Sequence, residues 1–277
     1  MPRALPFTAV LLLGLARTLP AQGIVVAPHA VYVDHRTRGA SITLYNPGAD
    51  PVEAGVSFLF GYPVTDSAGN LTLYEPDSVT AEMPAASRWI EAFPKRAVIP
   101  PLGRQTVRLL ARPPAGLADG EYWARVVVSA KGGSVPVTSS RDTTGIEVGL
   151  SLELRTIIPL IYRKGALRTG VALSAIRTAR KGDSLEVRAR LQRQGTAAYT
   201  GTAKGSLVNA AGKSVSSFSE PIAVYYEAEP SFALPVASLP AGQYRLLLEF
   251  TSERPDIAPD LLLRAPTVRD SQEITLP

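Results

Sequence analysis

An all-β fold of two β-sandwich domains in tandem is predicted by three observations. Apolar and polar residues alternate with period two along most of the chain, turn residues close each alternating run, and one turn-plus-tyrosine phrase occurs once in each half. Of 277 residues, 45% are hydrophobic and 19% charged, which supplies enough apolar material for two ordinary cores and excludes disorder as the main state. Gly 22 and Pro 24 are spread without a period, so collagen is excluded and a loop-rich β protein is favoured. No apolar i, i+3, i+4 pattern persists over a long stretch.

Met1 to Gln22 reads as a secretory signal. Arg3 supplies the positive start, Phe7 to Ala16 (FTAVLLLGLA) the apolar run, and Leu19-Pro-Ala-Gln22 a cleavage site near Ala21. The apolar run is shorter than the roughly 20 residues a membrane span needs, so export with no stable membrane insertion is expected. Setting aside Arg3 and Arg17 takes the formal net charge from +5 to +3, an ordinary solubility charge. No Lys/Arg block is interleaved with aromatics, which speaks against nucleic acid as a partner. Arg177, Arg180 and Lys181 come nearest to a basic patch, but Gly182-Asp183 follows them as a hairpin turn would.

The strands follow in order. Ala40 to Leu44 leads into Asn46-Pro47-Gly48, and Val52 to Phe60 ends at Gly61. Further strands are expected at Gln105 to Ala111, Glu121 to Ser129 and Ile146 to Tyr162. The pattern restarts at Val171 to Ile176, Ser184 to Gln192, Gly205 to Asn209, Ser214 to Phe218, Ser231 to Pro235, Gln243 to Phe250 and Glu273 to Leu276. The repeated phrase is Leu117-Ala-Asp-Gly-Glu-Tyr122 before one strand and Leu239-Pro-Ala-Gly-Gln-Tyr244 before another. It matches the corner at which an immunoglobulin-like sandwich enters its F strand, the tyrosine hydroxyl bonding back to the backbone. Arg163 to Arg168 breaks the alternation, so the expected domains are 23–164 and 165–277, after the signal at 1–22.

Catalytic chemistry has little to stand on, and no enzyme is expected. With no cysteine there is no disulfide framework, thiolate metal site or cysteine nucleophile, and two histidines leave little for a triad or a metal. His29 and His35 lack clustered acids at ligand spacing. Glu147 and Glu153 share a strand face but stand roughly 20 Å apart, too far to act on one bond. Trp89 and Trp123 lie beside strands, where a core role is the default. No Gly-rich phosphate loop precedes a helix, and no cofactor is expected.

The most informative segment is Ile146 to Tyr162, IEVGLSLELRTIIPLIY. Ile146, Val148, Leu150, Leu152 and Leu154 share one face, and Glu147, Gly149, Ser151, Glu153 and Arg155 the other. Two readings fit. The strand is the last strand of a sandwich, packing its apolar face on its own core, or it is an exposed edge that lends leucines to a partner by strand addition. Periodicity alone favours the first, because natural proteins normally cover such edges.

The first half also resembles the PapD-like periplasmic pilus-assembly chaperones. The resemblance is carried by ASITLYNPG (40–48), Phe93-Pro94-Lys95-Arg96, Ile99-Pro-Pro-Leu-Gly103-Arg-Gln-Thr-Val-Arg108-Leu, LADGEY (117–122) and the alternating strand ending LIYRKG (160–165), in matching order and spacing. It implies two immunoglobulin-like domains around a cleft, and a long last strand of domain 1 donating Leu150, Leu152 and Leu154, with Val148 and Ile146 before them, to a subunit that lacks a strand. Pilin-like subunits and an outer-membrane usher are the partners it implies. Arg108 falls at the arginine that closes the family's phrase after its Pro-Gly turn, where a structural ion pair is the plain expectation.

The chain departs from the family where an arginine and a lysine hold the subunit's terminal carboxylate. Ala30 and Pro159 stand there, with His29, Arg155, Arg163 and Lys164 nearby, and Gly120-Glu121 replaces an expected Arg-Glu pair. The expected function is therefore that of a non-enzymatic exported chaperone. The alternative is a structural or adhesive β-sandwich of the cell envelope.

Overall fold

The computed structural model describes residues 23–135 and 150–277. The expected signal at 1–22, and Ile146 and Val148, lie outside the described residues. Those described are all β, in two immunoglobulin-like sandwiches in tandem.

Domain 1 comprises β1 (Val25–Ala27), β2 (Val31–Asp34), β3 (Gly39–Tyr45), β4 (Val52–Leu59), β5 (Tyr62–Thr65), β6 (Leu71–Tyr74), β7 (Ile90–Phe93), β8 (Arg96–Ile99), β9 (Arg104–Ala111), β10 (Gly120–Val135) and β11 (Leu150–Lys164). One sheet has the order β1-β3-β9-β7 and faces another of order β2-β11-β10-β4-β8. The first strand changes sheets: β1 pairs antiparallel with β3, and after Pro28 to Ala30 the chain runs as β2 parallel to β11. Alternation drives this arrangement. Ile42 and Leu44 on β3 and Val107 and Leu109 on β9 point inward against Val126, Val128, Ile158 and Leu160 from the other sheet. Burying each such side chain contributes about 1.5–3 kcal/mol.

The turn after β3 is closed by Asn46, which is fully buried. Its Nδ2 donates to the carbonyls of Asp50 (2.8 Å) and Ile99 (3.0 Å), and its Oδ1 accepts from the Gly48 amide at 2.9 Å. One side chain thereby satisfies backbone groups from two turns.

Domain 2 comprises β12 (Thr169–Lys181), β13 (Ser184–Gly195), β14 (Tyr199–Val208), β15 (Ser214–Val224), β16 (Glu227–Ala228), β17 (Ser231–Pro235), β18 (Gly242–Thr251) and β19 (Val268–Leu276). β13 pairs with β12 on one side and with β16 and β17 on the other, and the facing sheet has the order β15-β14-β18-β19. Leu191, Leu207, Leu234, Leu246 and Phe250 fill the space between them. Gly182-Asp183 is the two-residue turn between β12 and β13, with Gly182 at φ 56°. Both repeated tyrosines form their corner: Tyr122 Oη donates to the Ala118 carbonyl at 2.9 Å, and Tyr244 Oη to the Pro240 carbonyl at 2.8 Å.

Several strands are longer than alternation suggests. β12 continues through Thr178 and Arg180 to Lys181 because backbone pairing to a neighbour holds a strand whose side chains face water, and β15 runs on through Glu220 to bury Ile222 and Val224 in the core. β7, β8 and the β5–β6 hairpin carry no alternating signal long enough to be read from sequence.

Candidate functional site: the open edge of β11 and the domain junction

β11 is paired with β10 along its length, from Gly120↔Lys164 to Val135↔Leu150. Its other edge is covered differently. β2 reaches only Leu160 to Arg163, so among the described residues the edge from Leu150 to Pro159 has no strand beside it. Such an edge presents unpaired backbone donors and acceptors to any chain able to add a strand.

One apolar face runs the whole strand, but its surroundings change. Ile158 (4% exposed) and Leu160 (0%) lie in the core of domain 1, whereas Leu152 (42%) and Leu154 (38%) are open to solvent. Leu154 stands opposite Ala130 and against Gly23. Opposite Leu152 the ladder is interrupted between Lys131 and Ser134, where β10 reads Gly132-Gly133 and offers no side chain. Leu150 is placed by its pairing with Val135, and its side chain is not described. On the other face Glu153 lies within salt-bridge distance of Lys131 (3.6 Å) and Arg155 (3.3 Å). The structure thus brings Leu152 and Leu154 together on the open edge.

The domain junction lies near the point where β2 meets β11. Val31↔Leu160 is the first pair of that parallel ladder, so Ala30 and Pro159 come together one step before it. Neither carries charge. Arg125 lies opposite Pro159 on β10, buried, with its Nε donating to the Gly61 carbonyl at 3.0 Å and its guanidinium 5.5 Å from the Tyr225 ring centre. Burial pushes the Tyr225 hydroxyl above its ordinary pKa, with Arg125 opposing.

Arg163 is already engaged. Its Nε donates to Glu121 Oε2 at 3.0 Å, Nη1 donates to the Leu261 carbonyl, and the guanidinium sits 4.8 Å from the Tyr32 ring centre. Glu121 is buried and also accepts from Trp123 Nε1 (2.9 Å) and from the Ala198 amide (3.1 Å). Lys164 donates to the Leu117 carbonyl and lies 3.6 Å from Asp119, and His29 is exposed. Of the cations near Ala30 and Pro159, Arg163 and Lys164 are therefore spent on the fold.

Trp123 is 1% exposed, yet it lies on the outer face of its sheet, packed with Phe60, Ala198 and Tyr225 between the domains. β10 is consequently buried on both faces from Trp123 to Val128. Sequence reasoning placed Trp123 in a core but missed that the core is interdomain. The run WARVVV, apolar on both parities except at Arg125, was the available signal.

Fold and site define a class: tandem immunoglobulin-like sandwiches in which the last strand of the first domain extends beyond β2 as an edge that, among the described residues, is open and apolar-faced. No family model and no curated protein matches the chain. Among solved structures it is similar to the YadV chaperone, at 15% identity over 91% of this chain and 99% of that chain with a TM-score of 0.45. It is also similar to a chain of the Salmonella enterica SafA pilin–SafB chaperone complex (13% identity, 91% and 98%, TM-score 0.42). A third is a chain of the Acinetobacter baumannii CsuC–CsuE chaperone–tip adhesion subunit pre-assembly complex (12%, 89% and 97%, TM-score 0.45). At these identities and TM-scores the likeness carries no functional argument, which rests on the chain's own edge strand. Among the described residues no helix is long and apolar enough to cross a membrane, and no cluster of metal-ligating side chains occurs.

Proposed function

We propose that the chain is a periplasmic chaperone, exported by cleavage of residues 1–22, that binds pilin-like β-sandwich subunits lacking a strand by lending them the edge of β11. The observation that carries this reading is the single apolar face that is core at Ile158 and Leu160 and solvent-exposed at Leu152 and Leu154, on an edge that among the described residues has no strand beside it from Leu150 to Pro159. Main-chain hydrogen bonds along the edge supply affinity, and Leu150, Leu152 and Leu154 fill pockets of the incomplete sandwich. Each leucine buried contributes about 1.5–3 kcal/mol before ordering costs. By alternation in the sequence, Ile146 and Val148 would continue the same face. Residues 23–164 act as the donating domain, 165–277 as the second sandwich, and an outer-membrane usher takes over the loaded complex. A structural or adhesive envelope module would keep this edge for its own fold, and the exposure of Leu152 and Leu154 speaks for the chaperone.

The test uses a pilin-like subunit lacking its last strand. A one-to-one soluble complex with amide-exchange protection at 150–158 is the expected result. Absence of a complex, or protection confined to other strands, refutes the reading. Because Ala30 and Pro159 supply no cation and Arg163 is paired with Glu121, amidating the subunit's carboxy terminus should weaken binding by less than about tenfold, below the value of a full charge-assisted hydrogen-bond pair. A larger loss, abolished in Arg125→Ala, would assign the carboxylate to Arg125.

A further inference from the structure

The β5–β6 hairpin belongs to neither sandwich: it forms a two-stranded sheet of its own. Leu71, Leu73 and Tyr74 on β6 are all exposed, so beyond Tyr62 at its base, which packs on Phe60 and Trp123, the hairpin has no core to order it, and an isolated two-stranded hairpin is marginal in water. What it touches is domain 2. The Ser231 amide donates to the Gly69 carbonyl at 3.1 Å, Arg188 Nη1 donates to the Ser67 carbonyl at 2.8 Å, and the Glu229 amide donates to Thr65 Oγ1 at 2.8 Å. At its base Tyr62 packs on Tyr226, ring centres 5.0 Å apart, and stacks on Tyr225 at 6.3 Å.

The tip is built to offer those acceptors. Asp66 Oδ1 accepts from the amides of Ala68 (2.9 Å) and Asn70 (2.8 Å), and the Gly69 amide donates to the Asp66 carbonyl at 3.0 Å. This fixes the turn and leaves the carbonyls of Ser67 and Gly69 for domain 2. Gly69 has φ +85°, and a Cβ there would stand 2.6 Å from Ser231 Cβ and 2.9 Å from its amide nitrogen, so only glycine allows the approach.

We propose that this hairpin is a strap by which domain 1 fixes the angle of domain 2. The covalent connection enters domain 2 at Thr169, paired with Gly195 at one end of β13, whereas the strap grips Arg188, seven residues along that strand. At about 3.3 Å per residue the two attachments are roughly 20 Å apart. The Glu121–Ala198 hydrogen bond lies beside the first attachment, since Thr169 Oγ1 donates to the Ala198 carbonyl at 2.9 Å, so the strap adds a second, distant hold and two holds so separated set an angle. The donating strand and domain 2 are then presented to any partner as one rigid unit.

The chain has no cysteine, so spin labels placed through Thr106→Cys in domain 1 and Thr275→Cys in domain 2, both exposed, report the interdomain distance by pulsed dipolar spectroscopy without background. The parent should give one narrow distribution. Gly69→Val should broaden it at least about twofold, since relative motion is the default for domains whose interface is weakened, with each domain keeping its β circular dichroism. Gly116→Val is the control: Gly116 also has positive φ (+73°) but nothing within 4 Å, so it carries the backbone strain without the collision and should stay narrow. A second variant replaces residues 64–73 by two glycines and should broaden the distribution equally. If both strap variants keep the parent's width, the Trp123–Tyr225 contact alone sets the angle and the proposal is overturned. Equal broadening in Gly116→Val overturns it too.

Discussion

Leu152→Glu is expected to leave the protein folded while abolishing subunit capture. Leu152 is 42% exposed and faces the Gly132-Gly133 interruption of β10, so its loss removes little internal packing. Stability should change by no more than about 1 kcal/mol, as for substitutions outside any packed site. In the complex the same position enters an apolar pocket of the subunit, where an unpaired carboxylate costs several kcal/mol. Affinity should fall by about 100-fold or more. Thermal melting alongside titration of the strand-deficient subunit separates the outcomes. A folded variant that still captures the subunit contradicts strand lending. An unfolded variant means that Leu152 serves the sandwich itself, as a structural module requires. Leu160→Glu is the contrasting case: Leu160 is wholly buried, and its replacement should destabilise domain 1 by several kcal/mol whatever the partner.

A large loss of stability is also expected from Glu121→Ala. Its carboxylate is buried and takes three donors: Arg163 Nε, Trp123 Nε1 and the Ala198 amide of domain 2. Alanine leaves a mostly buried guanidinium without its counter-charge and two further donors without an acceptor, a loss of about 3–5 kcal/mol. Arg163 keeps the Leu261 carbonyl and the Tyr32 ring, which limits the loss. Urea unfolding measures it, and a change below about 1 kcal/mol would show that water replaces the carboxylate without penalty. Glu121→Gln retains an acceptor for Trp123 and Ala198 but turns an amide toward Arg163, so an intermediate loss is expected. Because Ala198 belongs to domain 2, the alanine variant should also weaken coupling between the domains.

Reading the chain as strands was straightforward where each strand buries one face. Ile42 and Leu44 alternate with Ser41 and Thr43 because only one side of β3 meets the core, and the corners at Tyr122 and Tyr244 are short-range devices whose donor and acceptor lie four residues apart. Where a segment has no core of its own, that signal vanishes. β5 is half-buried throughout and β6 exposed throughout, so neither face is marked and the hairpin was not foreseen.

The sequence by itself determined the all-β class, the paired sandwiches and the apolar face of the strand ending at Tyr162, because a period of two is a property of the backbone and needs no knowledge of neighbours. Only the tertiary structure decided what that face meets. Leu152, Leu154, Ile158 and Leu160 carry the same signal, yet β2 pairs with β11 only from Leu160 to Arg163, and the sandwich covers Ile158 and Leu160 but leaves Leu152 and Leu154 open. The Glu121–Arg163 pair was equally hidden: 42 positions separate its members, and antiparallel register between β10 and β11 sets them side by side. Alternation specifies which residues share a face. Burial of that face depends on strands and domains distant in the chain, whose positions are set by packing and register.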